Sequence, residues 1–274
     1  MAADLTGDEA GTAPVAAPSE PRTLEPVPQR PHKLRFGIIY AGLAAILVAA
    51  IVGVAVFASR SISPGPKWSA WKPGGGGLGA ATQIADHVSK GYRLPTGQQL
   101  VDVIAKAPSV SPASTVTIPI HYLAVRATKG SGDQISPLSS TDSVMYSLCG
   151  LGTSCSIATG KASVERGRLV RREIYELALY TFKYVHGVKN VIAFMPPQPG
   201  AAPKYVVYLR KDDLKAQLGK PLVTTLAAKT PLPKTIPASE VQSIDSVTEP
   251  RVFSFSLSQA QQGDAILVLT PLPA

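Results

Sequence analysis

The chain is poor in the residues that metal proteins and most locally encoded enzymes depend on. Among 274 residues there are two cysteines, Cys149 and Cys155, and four histidines. Zinc is usually held by a CxxC-type pair with further Cys or His ligands close by, and redox dithiols usually sit in CxxC; five residues separate this pair. His87, His121 and His186 fall in no HExxH or comparable metal spacing. GxSxG, GxxxxGK[ST] and GxGxxG are all missing, and GLG at 150–152 is too short to count. These absences leave hydrolase, nucleotidase and dinucleotide chemistry without a local signature, and no cofactor is expected. A catalytic site assembled from distant residues needs no such signature.

The first 35 residues are poor in large apolar side chains, lack any hydrophobic period, and are dominated by Pro, Ala, Glu and Thr. Such a segment cannot bury enough apolar surface to offset its ordering entropy, so residues 1–35 are expected to be a disordered tail. The next stretch lacks charge. Residues 36–58, FGIIYAGLAAILVAAIVGVAVFA, would span about 34 Å as a helix, enough for a bilayer core of about 30 Å. A cleaved signal peptide would have a shorter apolar run behind a shorter leader, and a buried core helix seldom runs so far without a polar side chain. The segment reads as an uncleaved transmembrane anchor.

Its orientation follows from flanking basic residues. Within twenty residues, four lie on the N-terminal side and Arg60, Lys67 and Lys72 on the other. This modest bias puts the N-terminus in the cytoplasm and the C-terminal portion outside the cell membrane. Ala41, Ala45, Ala49 and Gly53 recur every four residues, a candidate ridge for packing against a second membrane helix or a second copy. Trp68 and Trp71 suit the outer headgroup layer. Residues 59–79, with four consecutive glycines, are expected to be a flexible Gly/Pro-rich linker.

Residues 80–274 hold 195 residues, the length of one domain. An amphipathic helix is expected at 80–92, with Ile84, Val88 and Tyr92 on one face. Strands are expected at 99–106 and 115–126, with Pro119 marking an edge or a bulge. Further strands are expected near 190–197, 204–210, 251–257 and 265–269, the last two forming a closing hairpin. The proline-rich 219–250 reads as loops and short elements, and Asp212 as the N-cap of a short helix. The fold class is α+β: one extracytoplasmic domain with a mixed or antiparallel sheet of five or six strands and two to three helices. Alanine, glycine, proline and valine dominate, a composition that suits a bacterium with a G+C-rich genome.

The most specific region lies between 143 and 197. Outside a membrane, Cys149 and Cys155 read as a disulfide closing a small loop, with Gly150 and Gly152 supplying backbone freedom; free thiols are the alternative. A helix over 163–186 presents Val170, Ile174, Leu177, Ala178, Thr181, Phe182, Tyr184 and Val185 as its core face. Glu173, Glu176 and Lys183 fall opposite and read as a solvated ion-pair face. Four arginines crowd its first turns, Arg166, Arg168, Arg171 and Arg172, where cations oppose the helix dipole. They are a candidate anion-binding cluster. The bland reading, that they pair with carboxylates elsewhere or lay their stems over apolar surface, is the better supported.

The stretches LCGLGTSCSIATGKASVERGRLVRREIYELALYTFKYV and YRLPTGQQLVDV resemble a family of uncharacterised bacterial single-pass membrane proteins, over most of residues 80–270. The resemblance implies one outer domain with QLVDV as a strand, and no activity.

After the anchor, basic residues outnumber acidic ones by ten, whereas the N-terminal flank carries one net negative charge. Such an excess draws a domain towards anionic surfaces, although charge for solubility alone is common. The leading expectation is a non-enzymatic binding or scaffolding protein of the cell envelope. Its partners would be the lipid bilayer, an anionic envelope component or a membrane protein, and not nucleic acid. The alternatives are an envelope hydrolase using His121 or the arginine cluster, and a subunit of a multiprotein membrane complex.

Overall fold

The computed structural model describes residues 33–59, 67–113, 116–126, 135–260 and 264–272. The tail up to residue 32 and the linker residues 60–66 lie outside the described residues. The chain divides into two units, 1–63 and 64–274.

In the first unit, helix α1 (Lys33–Ser59) contains the apolar segment. It is apolar all round rather than along one stripe, and its side chains from 37 to 54 are uncovered by protein. A helix in water buries a single face, so this pattern suits surroundings as apolar as the side chains themselves. The window 37–54 is long and apolar enough to cross a membrane. Ala41, Ala45, Ala49 and Gly53 are all exposed along it.

The second unit is α+β with a mixed sheet. Helix α2 (Gly77–Ser89) starts inside the glycine run, where Gly75 and Gly77 take φ of +72° and +57°, values that side chains other than glycine's rarely allow. Gln83 clamps the run by accepting from Gly74 N at 2.8 Å and donating to Gly74 O at 3.1 Å. Residues 67–79 of the expected linker are therefore tied to the domain. Its tryptophans are half-buried: Trp68 meets Tyr180 and Tyr184 edge-on at 5.5 and 5.6 Å, and Trp71 stacks on His87 at 3.9 Å. Part of their apolar area is met by these rings.

The strands are β1 (Asp102–Lys106), β2 (Ser109–Ala113), β3 (Val116–Arg126), β4 (Ile135–Ser139), β5 (Ser143–Cys149), β6 (Asn190–Phe194), β7 (Tyr205–Arg210), β8 (Val252–Gln259) and β9 (Ala265–Pro271). Nine strands among the described residues exceed the five or six expected: β2 and β4 lie in Pro/Ser-rich stretches that read as loops, and β5 lies in a stretch for which no strand was expected. Their order is β1-β5-β6-β7-β8-β9-β3-β2, with β4 also on β3. β5–β6 and β3–β9 are parallel and the other pairs antiparallel. The expected closing hairpin is present, pairing Phe253 with Pro271 through Gln259 with Ala265.

Helix α3 (Val164–Tyr184) is the crossover between the parallel β5 and β6. Ser163 caps it, accepting from Arg166 N at 3.2 Å. Helix α5 (Ala238–Thr248) lies in the segment that read as loops; the four-residue α4 (Lys215–Leu218) precedes it. Asp212 does not cap that turn; it pairs with Lys215 at the surface, and Asp213 takes Arg210 and Arg251.

Alternation along the central strands builds two cores. Val144, Tyr146, Leu148, Val191, Ala193, Val207 and Leu209 face the helices. Met145, Ile192, Val206 and Tyr208 face the other way and join Ile120, Leu123, Phe253, Leu267 and Leu269. β7 and β4 are four steps apart in strand order, about 19 Å in a flat sheet. Side chains from both nevertheless line one cavity, because the sheet curls until it is nearly closed.

Candidate functional site

Helix α3 is covered on several sides, by the sheet, α2 and α5, so of its expected polar face Glu173 is buried and Glu176 partly so, while Lys183 is exposed. Arg172 and Glu173 are 0% exposed. The arginines meet carboxylates of α5 and of the turn after it. Arg168 grips Asp245 with Nε at 3.0 and 2.9 Å from its two oxygens and Nη2 at 2.8 Å. Arg171 donates to Asp245 at 2.8 Å, Glu249 at 3.1 Å and the Thr248 hydroxyl at 3.1 Å.

Arg172 commits all five of its N–H donors. Nε and Nη2 reach Glu240 Oε1 at 3.1 and 2.8 Å, and Nη2 also donates to the Ala227 carbonyl at 3.0 Å. Nη1 donates to the Tyr92 hydroxyl at 2.5 Å and Glu176 Oε2 at 3.2 Å. Burial works against this guanidinium's charge, but Tyr92, Glu176 and Glu240 outweigh it and hold its pKa above the ordinary arginine value. Burial likewise raises Asp245, but Arg168 and Arg171 prevail and hold its carboxyl below the usual range. Three members of the candidate anion cluster are thus matched by protein carboxylates and tie α3 to α5. Arg166 stands apart: it donates to the Lys161 carbonyl at 3.0 Å and has no carboxylate partner among the described residues.

Glu173 and Glu176 are not a solvated pair. Glu176 accepts from Arg172 and from Tyr92 at 2.7 Å, yet its burial outweighs both and raises its pKa. Both oxygens of Glu173 are buried with no hydrogen-bond donor among the described residues. Burial first, then repulsion from Glu176, pushes its carboxyl well above the ordinary range despite Arg172. A carboxyl so placed is held as the neutral acid.

A second group of charges surrounds a cavity of about 460 Å³ lined by residues of β3, β4, β7 and the start of β8. Val125, Leu138, Tyr208 and Phe253, all packed with the second core, form its apolar wall. Arg126, Arg210 and Arg251 line it with a single carboxylate, Asp213. Asp213 accepts from Arg210 at 3.2 and 3.0 Å and from Arg251 at 3.1 Å. Burial opposes its charge, but the two guanidiniums prevail and lower its pKa. Arg126 is exposed and has no ion-pair partner among the described residues. Sequence reasoning missed this group, because its three arginines come from β3, β7 and the turn before β8, with no shared spacing.

Cys149 and Cys155 lie at bonding distance, their sulfurs 2.11 Å apart. The loop between them takes left-handed backbone at two non-glycine residues, Ser154 (φ 53°) and Cys155 (φ 62°). A Cβ at Gly150 would come within 2.0 Å of the Ser156 carbonyl oxygen, which is why glycine stands there. His121 Nδ1 lies 3.6 Å from Asp264, half-exposed, and lines none of the three described cavities. His87 is under Trp71, and burial and Lys90 lower its pKa. The described residues contain no cluster of three or more His, Cys, Asp or Glu suited to a metal ion.

No protein-family model, curated protein or solved structure matches this chain.

Proposed function

We propose that this is a single-pass membrane protein with its N-terminus in the cytoplasm, whose C-terminal domain acts outside as a non-enzymatic binding or scaffolding module. The observation that carries the reading is the division of the chain. A helix apolar on every side forms one unit, and a charged, disulfide-bearing α+β domain forms the other. A disulfide accords with an oxidising compartment, and the excess of ten basic residues suits an anionic envelope component or a membrane protein as partner. The buried arginine–carboxylate lattice has its donors consumed by packing, so the binding role belongs elsewhere on the domain. Cross-linking in intact cells followed by mass spectrometry tests this. Recovery of envelope partners through lysines of 80–274, together with salt-sensitive retention on anionic lipid or polymer, is expected. Cross-links only to cytosolic proteins, with no salt-sensitive retention, would overturn it.

A further inference from the structure

We propose that the cavity lined by β3, β4, β7 and the start of β8 binds an amphipathic anion, a carboxylate or phosphate head carrying an acyl or alkyl arm. This rests on the binding role above and names its ligand class. Among the described residues three guanidiniums surround the cavity and one carboxylate answers them, so two positive charges are left for a ligand. Arg210 and Arg251 are already aimed by Asp213, which fixes their planes without neutralising both. Arg126, on the neighbouring wall, is exposed and unpaired among the described residues. Guanidinium is the side chain best shaped for carboxylate and phosphate oxygens.

The other half of the cavity is apolar. Val125, Leu138 and Phe253 present hydrocarbon continuous with the second core, and Tyr208 turns its hydroxyl away to Asn190 Oδ1 at 2.9 Å. A bare anion would gain nothing from that wall, and a neutral hydrocarbon nothing from the arginines. About 460 Å³ falls within the usual range for small-molecule pockets.

The test uses the full chain in phosphatidylcholine nanodiscs with a diazirine-bearing dodecanoate, labelled sites being read by peptide mass spectrometry. Labels are expected on peptides holding Val125, Leu138 and Phe253, and are suppressed by octanoate and octyl phosphate. Arg126→Ala and Leu138→Asp should each weaken labelling about tenfold, the scale of one lost charge-assisted hydrogen bond. Replacing part of the phosphatidylcholine by phosphatidylglycerol identifies the source while keeping the ligand class: suppression points to a bilayer lipid, unchanged labelling to a free acyl anion. Labels confined to α1, suppression by acetate or inorganic phosphate as strong as by octanoate, or suppression by octyltrimethylammonium would each overturn the assignment. Salt-sensitive retention on anionic polymer, measured on the same preparation, separates the two readings. If it persists while cavity labelling fails, the cavity assignment falls and the binding role stands.

Discussion

Replacing Glu173 by methionine should stabilise the protein, although the residue is fully buried in the largest helix of the domain. The side chain is 0% exposed, and neither oxygen has a donor among the described residues. A buried polar group left unsatisfied costs about 1–3 kcal/mol. Methionine keeps an unbranched chain of similar length and a good helix propensity, so little packing is lost. The pH dependence adds a signature. The folded-state pKa of Glu173 is raised by burial, so between about pH 4.3, the unfolded value, and that raised value the folded chain holds a proton that the unfolded chain releases. Stability therefore falls as pH rises through this window, by about 1.4 kcal/mol per unit where the difference is complete. Glu176, also raised by burial, contributes with the same sign and persists in the variant. Asp213 and Asp245 act oppositely and lower down: their lowered pKa values give stability that is present above about pH 3.9 and lost on further acidification. Urea unfolding of the full chain in a non-ionic detergent, followed by near-ultraviolet circular dichroism at pH 5 and pH 8, measures both effects. Glu173→Met should gain about 1–3 kcal/mol at pH 8, less at pH 5, and show a shallower slope between them. A loss exceeding about 1 kcal/mol, or an unchanged slope, would refute the neutral, unpartnered carboxyl.

Three further outcomes use the same unfolding assay or a dimer assay. Arg172→Ala should cost about 3–5 kcal/mol, because it leaves Glu240 and Glu176 without their cationic partner; Arg172→Met with Glu240→Leu should recover much of that loss, and no recovery would count against a purely structural lattice. Cys149→Ser with Cys155→Ser should cost about 2 kcal/mol, the chain-entropy value for so short a loop, and a reducing agent should have the same effect on the native chain. Leucine at both Ala45 and Gly53 should lower any self-association of α1 measured by cross-linking in membranes, and unchanged dimer would remove the small-residue ridge as its cause.

The apolar helix and the α+β class were legible because both rest on local patterns: a run without charge, and alternation in strands such as 251–257 and 265–269. Strands β2 and β4 were not, because ISPLS and SVSPA alternate with serine and proline and are held chiefly by pairing to β3. Helix α5 was hidden behind five prolines spread over 221–250. With it went the carboxylates Glu240, Asp245 and Glu249, so the arginines of α3 could be seen but their partners could not. The misreading of Glu173 and Glu176 has one cause: a helix covered on several sides keeps little solvent face, and periodicity cannot report how many neighbours a helix has. The packing of the tryptophans on the domain was hidden for a related reason. Trp68 and Trp71 flank glycine-rich sequence, but the glycines let the chain turn back so that both rings pack on α2 and α3.

The most direct test of the anchored outer domain is compartment-specific labelling of the cysteine pair. Intact cells are mildly reduced and treated with a membrane-impermeant thiol reagent, with and without lysis. Cys149 and Cys155 should be blocked before reduction and labelled in intact cells after it. Labelling that requires lysis, or that needs no reductant, would contradict an extracytoplasmic, disulfide-bonded domain.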